Sequence, residues 1–412
     1  MKTIRIVAMI TFAMIGFINL SAQETDSIPE GSYSKGVSIT PIPVIAANPT
    51  LGIVFGVTSS FSWTMGNPKN TSPSVAVGSL TYTTNNQLIS YLRGNAFLSE
   101  DSWNLLTDLR FQITSQPTYG LGTGPRSNTL LVDGSEGDVN INNPYKKTPS
   151  RQMMEYNFFR LYQTFLKRYQ DTRLFLGLGY HLDMFSSIDD HLLDLESDPN
   201  RITHHYAYNT SKGISTKSYA LSGISLNALF DSRDNTANPY KGRYAMINWR
   251  VNPKFIGSTT TNTILWTEYR GYFNLSEERP RNLIAVWLYG NFVTSGDVPY
   301  MNLPALGWDT ASRSGRAYTF GRFRGEDLVY VESEYRFPLQ KDKDKWGGVV
   351  FVNAVSASSR TEDVNLFSHI NLAGGVGLRY MLNEKARTNL TLDYGWGTNG
   401  SQGFFLGLNE AF

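Results

Sequence analysis

The carboxyl-terminal segment, residues 387–412, constrains the fold of this chain more than any other feature. It reads RTNLTLDYGWGTNGSQGFFLGLNEAF, two alternating stretches that are joined by Gly and Asn and end on an aromatic residue. Successive side chains of a β-strand point to opposite faces, so the first stretch has one apolar and one polar face. The apolar face holds Leu390, Leu392, Tyr394 and Trp396, and the polar face holds Asn389, Thr391 and Asp393. This pattern predicts strands of a transmembrane β-barrel, but a soluble sandwich also alternates, so the whole chain has to decide.

The amino terminus has the pattern of a secretory signal peptide. Lys2 and Arg5 precede an apolar run over 6–20, which gives way to small and polar residues near Ala22 and Gln23. The run is too short for a membrane span, and no later segment approaches the roughly 20 apolar residues that a transmembrane helix needs. The sequence therefore excludes a helical membrane protein.

We predict three parts in the chain. Residues 1–23 are the signal peptide, 24–35 are a short periplasmic segment, and 36–412 are one transmembrane barrel domain. After cleavage the amino terminus is expected in the periplasm and the barrel in the bacterial outer membrane, in contact with its lipid.

Alternation and turn residues predict sixteen antiparallel strands, an all-β fold, and an even number as in single-chain bacterial barrels. Short turns alternate with longer connections, and the long segments 115–153, 188–214 and 295–327 all fall on one side of the membrane, which we expect to be external. The predicted strands are 36–46, 51–63, 73–84, 87–98, 102–114, 154–168, 171–187, 215–230, 242–253, 261–275, 282–294, 328–339, 346–357, 370–382, 386–396 and 402–411.

Composition excludes several functional classes. The chain has 37 basic and 35 acidic residues and no basic block, so nucleic acid is not an expected partner. It has no cysteine, and therefore neither a disulfide framework nor a lipid-modified Cys. It contains no G-x-S-x-G nucleophile motif and no H-E-x-x-H metal motif, so we expect no enzymatic activity, no cofactor and no metal.

The segment 230–244, FDSRDNTANPYKGRY, is a polar turn between two predicted strands. Its acidic and basic side chains can tie the turn together, Pro239 fixes a backbone angle, and Gly242 permits the next strand to start. The motif residues are Asp231, Arg233, Asp234, Asn235, Pro239 and Gly242. This segment resembles the D-x-R-D-N…P-x-x-G-x-Y periplasmic turn of the BamA/TamA superfamily, also called the outer-membrane protein 85 superfamily.

A second segment, 316–339, is similar to the sixth external loop and twelfth strand of that family. Arg316 falls in the Arg position and Tyr318 in the aromatic position of an R-G-F/Y motif, and Arg322 and Arg324 follow. Ala317 replaces the motif glycine. In the alternative alignment Arg324 and Gly325 form the R-G pair, but Glu326 then occupies the aromatic position.

The F-x-D-x-G motif of the family's thirteenth strand corresponds here to 351–355, with Asn353 in place of Asp. On the preceding predicted strand, Glu332, Glu334 and Arg336 share one face. We therefore predict that Arg316 or Arg324 docks on Glu332 or Glu334 inside the barrel, as a loop folded into the lumen. In the alternative interpretation these charges line a wet pore.

The resemblance covers the whole mature chain in layout and mainly its second half in motifs. It implies a barrel with a weak seam between its first and last strands, which assists insertion or translocation or forms part of such a complex. The alternative is a structural or pore-forming barrel without a client, homo-oligomeric or not.

The last predicted strand is similar to the carboxyl-terminal signal that hands barrels to the assembly machinery. In this interpretation Phe404, Leu406 and Leu408 face outward and Phe412 ends the strand. The chain is thus expected to require the barrel assembly machinery for its own insertion.

Overall fold

The computed structural model of the protein describes residues 36–48, 52–133, 154–310, 312–340, 345–384 and 387–412. The predicted signal peptide, 1–23, and the predicted periplasmic segment, 24–35, lie outside the described residues.

Sixteen strands make up most of the described chain. The first eight are β1 Ser38–Asn48, β2 Gly52–Trp63, β3 Ser74–Thr83, β4 Leu88–Phe97, β5 Trp103–Gln116, β6 Met154–Arg168, β7 Leu174–Asp190 and β8 Tyr219–Asp231. The second eight are β9 Gly242–Asn252, β10 Asn262–Asn274, β11 Leu283–Gly296, β12 Asp327–Pro338, β13 Trp346–Ala357, β14 Asn371–Asn383, β15 Thr388–Gly397 and β16 Gln402–Leu408.

Helical structure is confined to short pieces in the connections. The α-helix α1 is His204–Ser211, and the Thr203 side chain caps it by accepting a hydrogen bond from the Tyr206 amide. Short 3₁₀ turns are Ser99–Asp101, Pro125–Asn128, Lys254–Ile256, Tyr300–Asn302 and Thr398–Gly400. Within the described ranges, no helix combines the length and the apolar character that crossing a bilayer requires.

All sixteen strands belong to one antiparallel sheet whose strand order is the chain order, β1 to β16. The predicted all-β antiparallel fold with sixteen strands is confirmed. The clearest difference lies in the last strand, which ends at Leu408 and not at residue 411. Among the described residues no ladder joins β1 to β16, so each of these strands has one free edge.

Alternating burial distinguishes the two faces of the sheet. In β7, Leu176 and Leu178 are exposed while His181 and Asp183 are buried. The same pattern runs through β14, where Leu378 is exposed and its neighbour Arg379 is buried. The apolar side chains suit hydrocarbon, and the buried polar side chains face the lumen, as expected of a transmembrane barrel.

Strand β11 is apolar on both faces, and packing in the lumen explains why. In β11 the inward side chains Ala285, Trp287 and Tyr289 are buried, whereas Ile284 and Leu288 face outward. The inward residues belong to a hydrophobic cluster with the connection between β11 and β12 and with the carboxyl terminus. Apolar inward positions therefore mark where the lumen is filled by protein.

The three longest connections, 117–153, 191–218 and 297–326, leave and re-enter the antiparallel sheet at the same end, which we call the long-loop end. The opposite end, with β1 beginning and β16 ending there, is the short-turn end. At the long-loop end Tyr208 of α1 and Tyr300 join a buried cluster with Phe158 of β6 and Phe185 of β7. The connections thus fold over the sheet interior at that end.

Candidate functional site: the inward loop, the carboxyl-terminal tail and the strand edges

The connection 297–326, which we call the inward loop, crosses the lumen. On one side the Arg93 guanidinium of β4 donates to the Thr310 carbonyl at 2.8 Å, and Arg110 of β5 donates to the Ser312 hydroxyl at 2.8 Å. On the other side Arg316 donates to Asp393 of β15 at 2.7 Å. Since β4 and β15 lie near opposite ends of the strand order, these contacts require the sheet to curl around the loop.

Arg316 is the centre of the loop's attachment. Its Nη2 lies 2.5 Å from Glu332 Oε1 and also contacts the Glu334 carboxylate, while Nη1 reaches Asp393. The guanidinium lies 3.8 Å from the centre of the Phe351 ring, in cation–π geometry. The arginine is 3% exposed, so three carboxylates surround one buried cation.

A second row of charges continues from this group toward the short-turn end. Arg336 Nε lies 2.6 Å from Glu334 Oε2, and Arg379 Nε lies 2.7 Å from Glu410 Oε2. Arg379 also contacts Asp393. Buried charges are tolerated when each is paired and hydrogen-bonded, and here cations and anions alternate.

The sequence-predicted residues at the loop tip lie directly on β15. Ala317, in the motif glycine position, has φ +106°, a conformation that favours glycine. A Cβ added at Gly395 would lie 3.1 Å from the Ala317 Cβ, and one at Gly397 would lie 2.7 Å from the Tyr318 ring. Glycines in β15 thus permit the close approach of the loop.

Two further predicted arginines act within the connections and do not reach the strand carboxylates. Arg324 Nη1 donates to the carbonyls of Tyr300 at 2.9 Å and Met301 at 2.8 Å. Arg322 donates to the Ser127 carbonyl at 2.6 Å in the connection after β5. Of the two predicted docking arginines, the structure brings Arg316 to Glu332 and Glu334, and Arg324 folds the loop base onto itself.

Asn353 contacts the loop through its amide. Its Nδ2 donates to the Arg316 carbonyl at 3.3 Å and to Glu332 Oε2 at 3.4 Å. The carboxylate that meets the other side of Arg316 belongs to Asp393, which the sequence analysis placed on the polar face of its strand but not in the site. The sequence signal that could have found Asp393 was its place on the inward face of β15, two strands after Asn353 on β13.

The carboxyl-terminal tail, Asn409–Phe412, corrects the prediction for the last strand. Phe404 and Leu406 are exposed as predicted, but Leu408 and Phe412 are buried, at 5% and 4% exposure. Asn409 has φ +64°, which Asn tolerates, and the chain turns there into the lumen. Phe412 is therefore not the outward end of a strand.

Three side chains, those of Trp287, Arg336 and Arg313, hold the tail inside. The Phe412 ring centre lies 5.2 Å from that of Trp287, and Arg336 Nη2 donates to the Phe412 backbone oxygen at 3.1 Å. Arg313 of the inward loop donates to the backbone oxygens of Leu408 and Glu410. Loop and tail thus form one buried unit.

The turn motif after β8 has the internal bonds that its sequence suggested. Arg233 Nη2 lies 2.7 Å from Asp231 Oδ2, and Asp234 Oδ1 accepts from the Tyr240 amide at 3.0 Å. Asn235 Oδ1 accepts from the amide of Ala237 at 2.8 Å. Pro239 is buried just before the strand start. At Gly242, with φ +109°, a Cβ would lie 2.3 Å from the Ser232 carbonyl oxygen, so glycine is required there.

The same turn reaches another turn at the short-turn end. Arg387, between β14 and β15, lies 2.7 Å from Asp234 through Nη1 and Oδ2, and its guanidinium is 4.1 Å from the Tyr240 ring centre. Protein therefore lies at this end of the lumen as well. Between the loop, the tail and β3 to β11 lies a cavity of about 340 Å³, lined by residues that include Arg160, Arg250, Trp308 and Phe412. A second cavity of about 160 Å³ lies between the loop, β15 and β16.

Comparison with known proteins identifies the family. A family model described as the Omp85 superfamily domain matches residues 51–412. The chain belongs to the Omp85 superfamily. The resemblance inferred from the three sequence motifs is thus confirmed, and Omp85 barrels are outer-membrane proteins. No protein with a curated description matches the chain.

One solved structure supports the barrel fold, and a second aligns with lower similarity. BamA from Haemophilus ducreyi lacking POTRA domains 1–3 aligns with a TM-score of 0.54 and 13% identity, over 90% of this chain and 69% of that chain. CdiB from Acinetobacter baumannii aligns with a TM-score of 0.49 and 14% identity, over 89% of this chain and 56% of that chain. At 13% identity, the likeness to BamA shows the fold of this Omp85 protein and nothing more.

Proposed function

We propose that this Omp85 protein is a non-enzymatic outer-membrane barrel that assists insertion of other polypeptides into the membrane, or their translocation across it, through the seam between β1 and β16. The observation that carries this proposal is the pair of free strand edges at the two ends of the sixteen-stranded sheet. An unpaired strand edge offers a row of N–H and C=O groups to which another extended chain can add.

Because protein fills the lumen, we place the proposed activity at the seam between β1 and β16 and not in a central pore. The inward loop, the tail and the turn after β8 occupy the interior, and cavities of about 340 Å³ and about 160 Å³ lie beside them. The rival function, an open pore without a client, has no comparable support.

The proposed orientation places the short-turn end in the periplasm and the long loops outside the cell. Barrels of the outer membrane have short periplasmic turns and longer external loops. The amino terminus that follows the signal peptide would then lie in the periplasm. We further propose that the barrel assembly machinery inserts this protein and that its working partners belong to an assembly or translocation complex, including a second copy.

A seam-lock experiment tests the proposal. One cysteine is introduced in β1 and one in β16. The chain has no cysteine of its own, so only the introduced pair can form a disulfide. The protein is reconstituted in liposomes, and a urea-unfolded eight-stranded outer-membrane barrel protein is added. We expect its folding, measured by protease protection, to be accelerated by the reduced form and not by the disulfide-locked form.

Each single-cysteine variant under the same oxidant is the control. Equal acceleration by locked and reduced forms would contradict the proposal. Large, steady single-channel currents that are indifferent to the lock would instead favour the pore.

A further inference from the structure

The first strand contains two prolines, and their position relative to its free edge can be derived from the ladder. In β2, the Ile53 carbonyl accepts a hydrogen bond from the Thr84 amide at 2.9 Å, so the odd-numbered residues of β2 point their peptide groups toward β3. The even-numbered residues of β2 therefore point toward β1, because alternate residues bond to opposite sides of a strand.

The register of β1 on β2 runs without a shift and pairs even with even residues, for example Ile42 with Thr58 and Val44 with Gly56. The even residues of β1 thus bond to β2. The odd residues, 39, 41, 43, 45 and 47, direct their peptide groups to the free edge. Pro41 and Pro43 are both among them, so two of the five donor positions on this edge have no N–H.

The edge of β16 differs. The Ser401 carbonyl accepts from Gly397, and the Asn409 amide donates to Asn389, so odd residues face β15. The even residues 402, 404, 406 and 408 face the free edge, and none is proline. The carbonyl of Leu408 is held by Arg313. From Gln402 to Leu406 this edge keeps its full set of donors and acceptors.

Hydrocarbon makes this difference important. In a bilayer an unpaired N–H has no water to bond, and leaving it open is costly. Proline has no N–H, so Pro41 and Pro43 lower the free-energy cost of leaving the seam open. They also weaken the paired seam, because two hydrogen bonds between β1 and β16 cannot form. Natural sheets place proline on edge strands for the same reason, to prevent pairing.

We infer that Pro41 and Pro43 keep β1 and β16 from zipping together, and that an extended segment of another polypeptide entering the seam pairs with β16 and not with β1. The second half of this inference rests on the proposed function and specifies it by naming the acceptor strand. The first half concerns the isolated protein and stands on the strand edges alone.

Distances across the seam test the first half. Spin labels at I45C and F404C, two exposed positions, report the separation of β1 and β16 in lipid nanodiscs. We expect a broad distribution of long distances in the otherwise unchanged protein. In the P41V/P43V variant, the short-distance population, in which the strands are paired, should rise about tenfold or more, because two ladder bonds become available.

The P73V variant, which replaces a proline in the connection before β3, is the matched control and should leave the distances unchanged. A short, narrow distance in the protein with both prolines present would overturn the inference. An unchanged distribution in P41V/P43V would overturn it as well.

Photo-crosslinking tests the second half. A photoreactive residue replaces Ile39 in β1 or Leu406 in β16, both exposed and near the short-turn end, and the probe is the urea-unfolded eight-stranded barrel protein. We expect crosslinks mainly from position 406, and fewer in P41V/P43V. Predominant crosslinking from position 39 would overturn the acceptor assignment and leave the proposed function intact. Crosslinking from neither position would overturn both, and the spin-label result would still decide how the prolines act on the seam.

Discussion

At the scale of single residues, the attachment of the inward loop is a problem of charge balance. Arg316, Arg336 and Arg379 face four carboxylates, those of Glu332, Glu334, Asp393 and Glu410. The group has one more anion than cations, so a further carboxylate would have no cation of its own to pair with. The amide of Asn353 suits its position because it donates to two acceptors of this group.

The substitution N353D restores the acid of the family motif, and we expect it to destabilise this protein. It would replace two donated hydrogen bonds with like-charge contacts to Glu332, at a cost of about 3 kcal/mol. The measurement is the urea midpoint of unfolding in detergent micelles. The double variant N353D/D393N should recover most of the loss, since it moves the negative charge without adding one. A midpoint that N353D leaves unchanged would contradict this account.

Backbone strain at the loop tip gives a second expectation. Ala317 has φ +106°, where a Cβ is unfavourable, so A317G should raise the free energy of unfolding by roughly 1 kcal/mol after the entropy cost of glycine. The same urea titration measures it, with A354G in β13 as a control that should destabilise. A lower midpoint for A317G would show that the buried methyl group contributes more through packing than it costs in strain.

The sequence placed Glu332 and Glu334 on one face, because side chains two apart on one strand share a face. The family resemblance suggested that a loop arginine docks there, and it left Arg316 and Arg324 as alternatives. The sequence was not sufficient to find Asp393. That carboxylate comes from β15, and only the curvature of the sheet brings it to the opposite side of the arginine. Contacts across a lumen leave no periodic signal in the chain.

At the scale of elements, sequence patterns located all sixteen strands because most of them keep one apolar and one polar face and turn residues separate them. The carboxyl-terminal tail was the exception. The predicted strand continued to residue 411, although in that pattern Glu410 occupies an outward position where an apolar residue is commoner. The turn into the lumen depends on contacts with Arg313 and Arg379 that are distant in sequence. Tertiary ion pairs overrode a local strand pattern there.

The two edges of β1 give an expectation for adjacent residues. V44P removes a donor that bonds to β2 and should lower the unfolding free energy by about 3 kcal/mol, whereas I45P removes a donor on the free edge and should change it by less than about 1 kcal/mol. Folding yield and the urea midpoint measure the difference between the variants. A larger loss of unfolding free energy in I45P than in V44P would show that the odd residues bond to β2. Equal losses in the two variants would also contradict the assignment of the free edge.

At the scale of the whole molecule, the sheet is closed to passage by its own connections. We expect the purified protein to give low conductance in planar bilayers, and R316A to raise it several-fold. Its loss leaves three buried carboxylates without their shared cation and releases the loop. R126A, which breaks an ion pair with Glu362 at the long-loop end, is the control and should change nothing. High conductance without any substitution would contradict a filled lumen.

The contacts of the tail bear on which strand can move when the seam opens. Arg313 fixes the residues after β16 to the inward loop, and Phe412 packs on Trp287 of β11. The end of β16 near the short turns is therefore anchored to the interior. A motion that opens the seam at this end has to be made by β1.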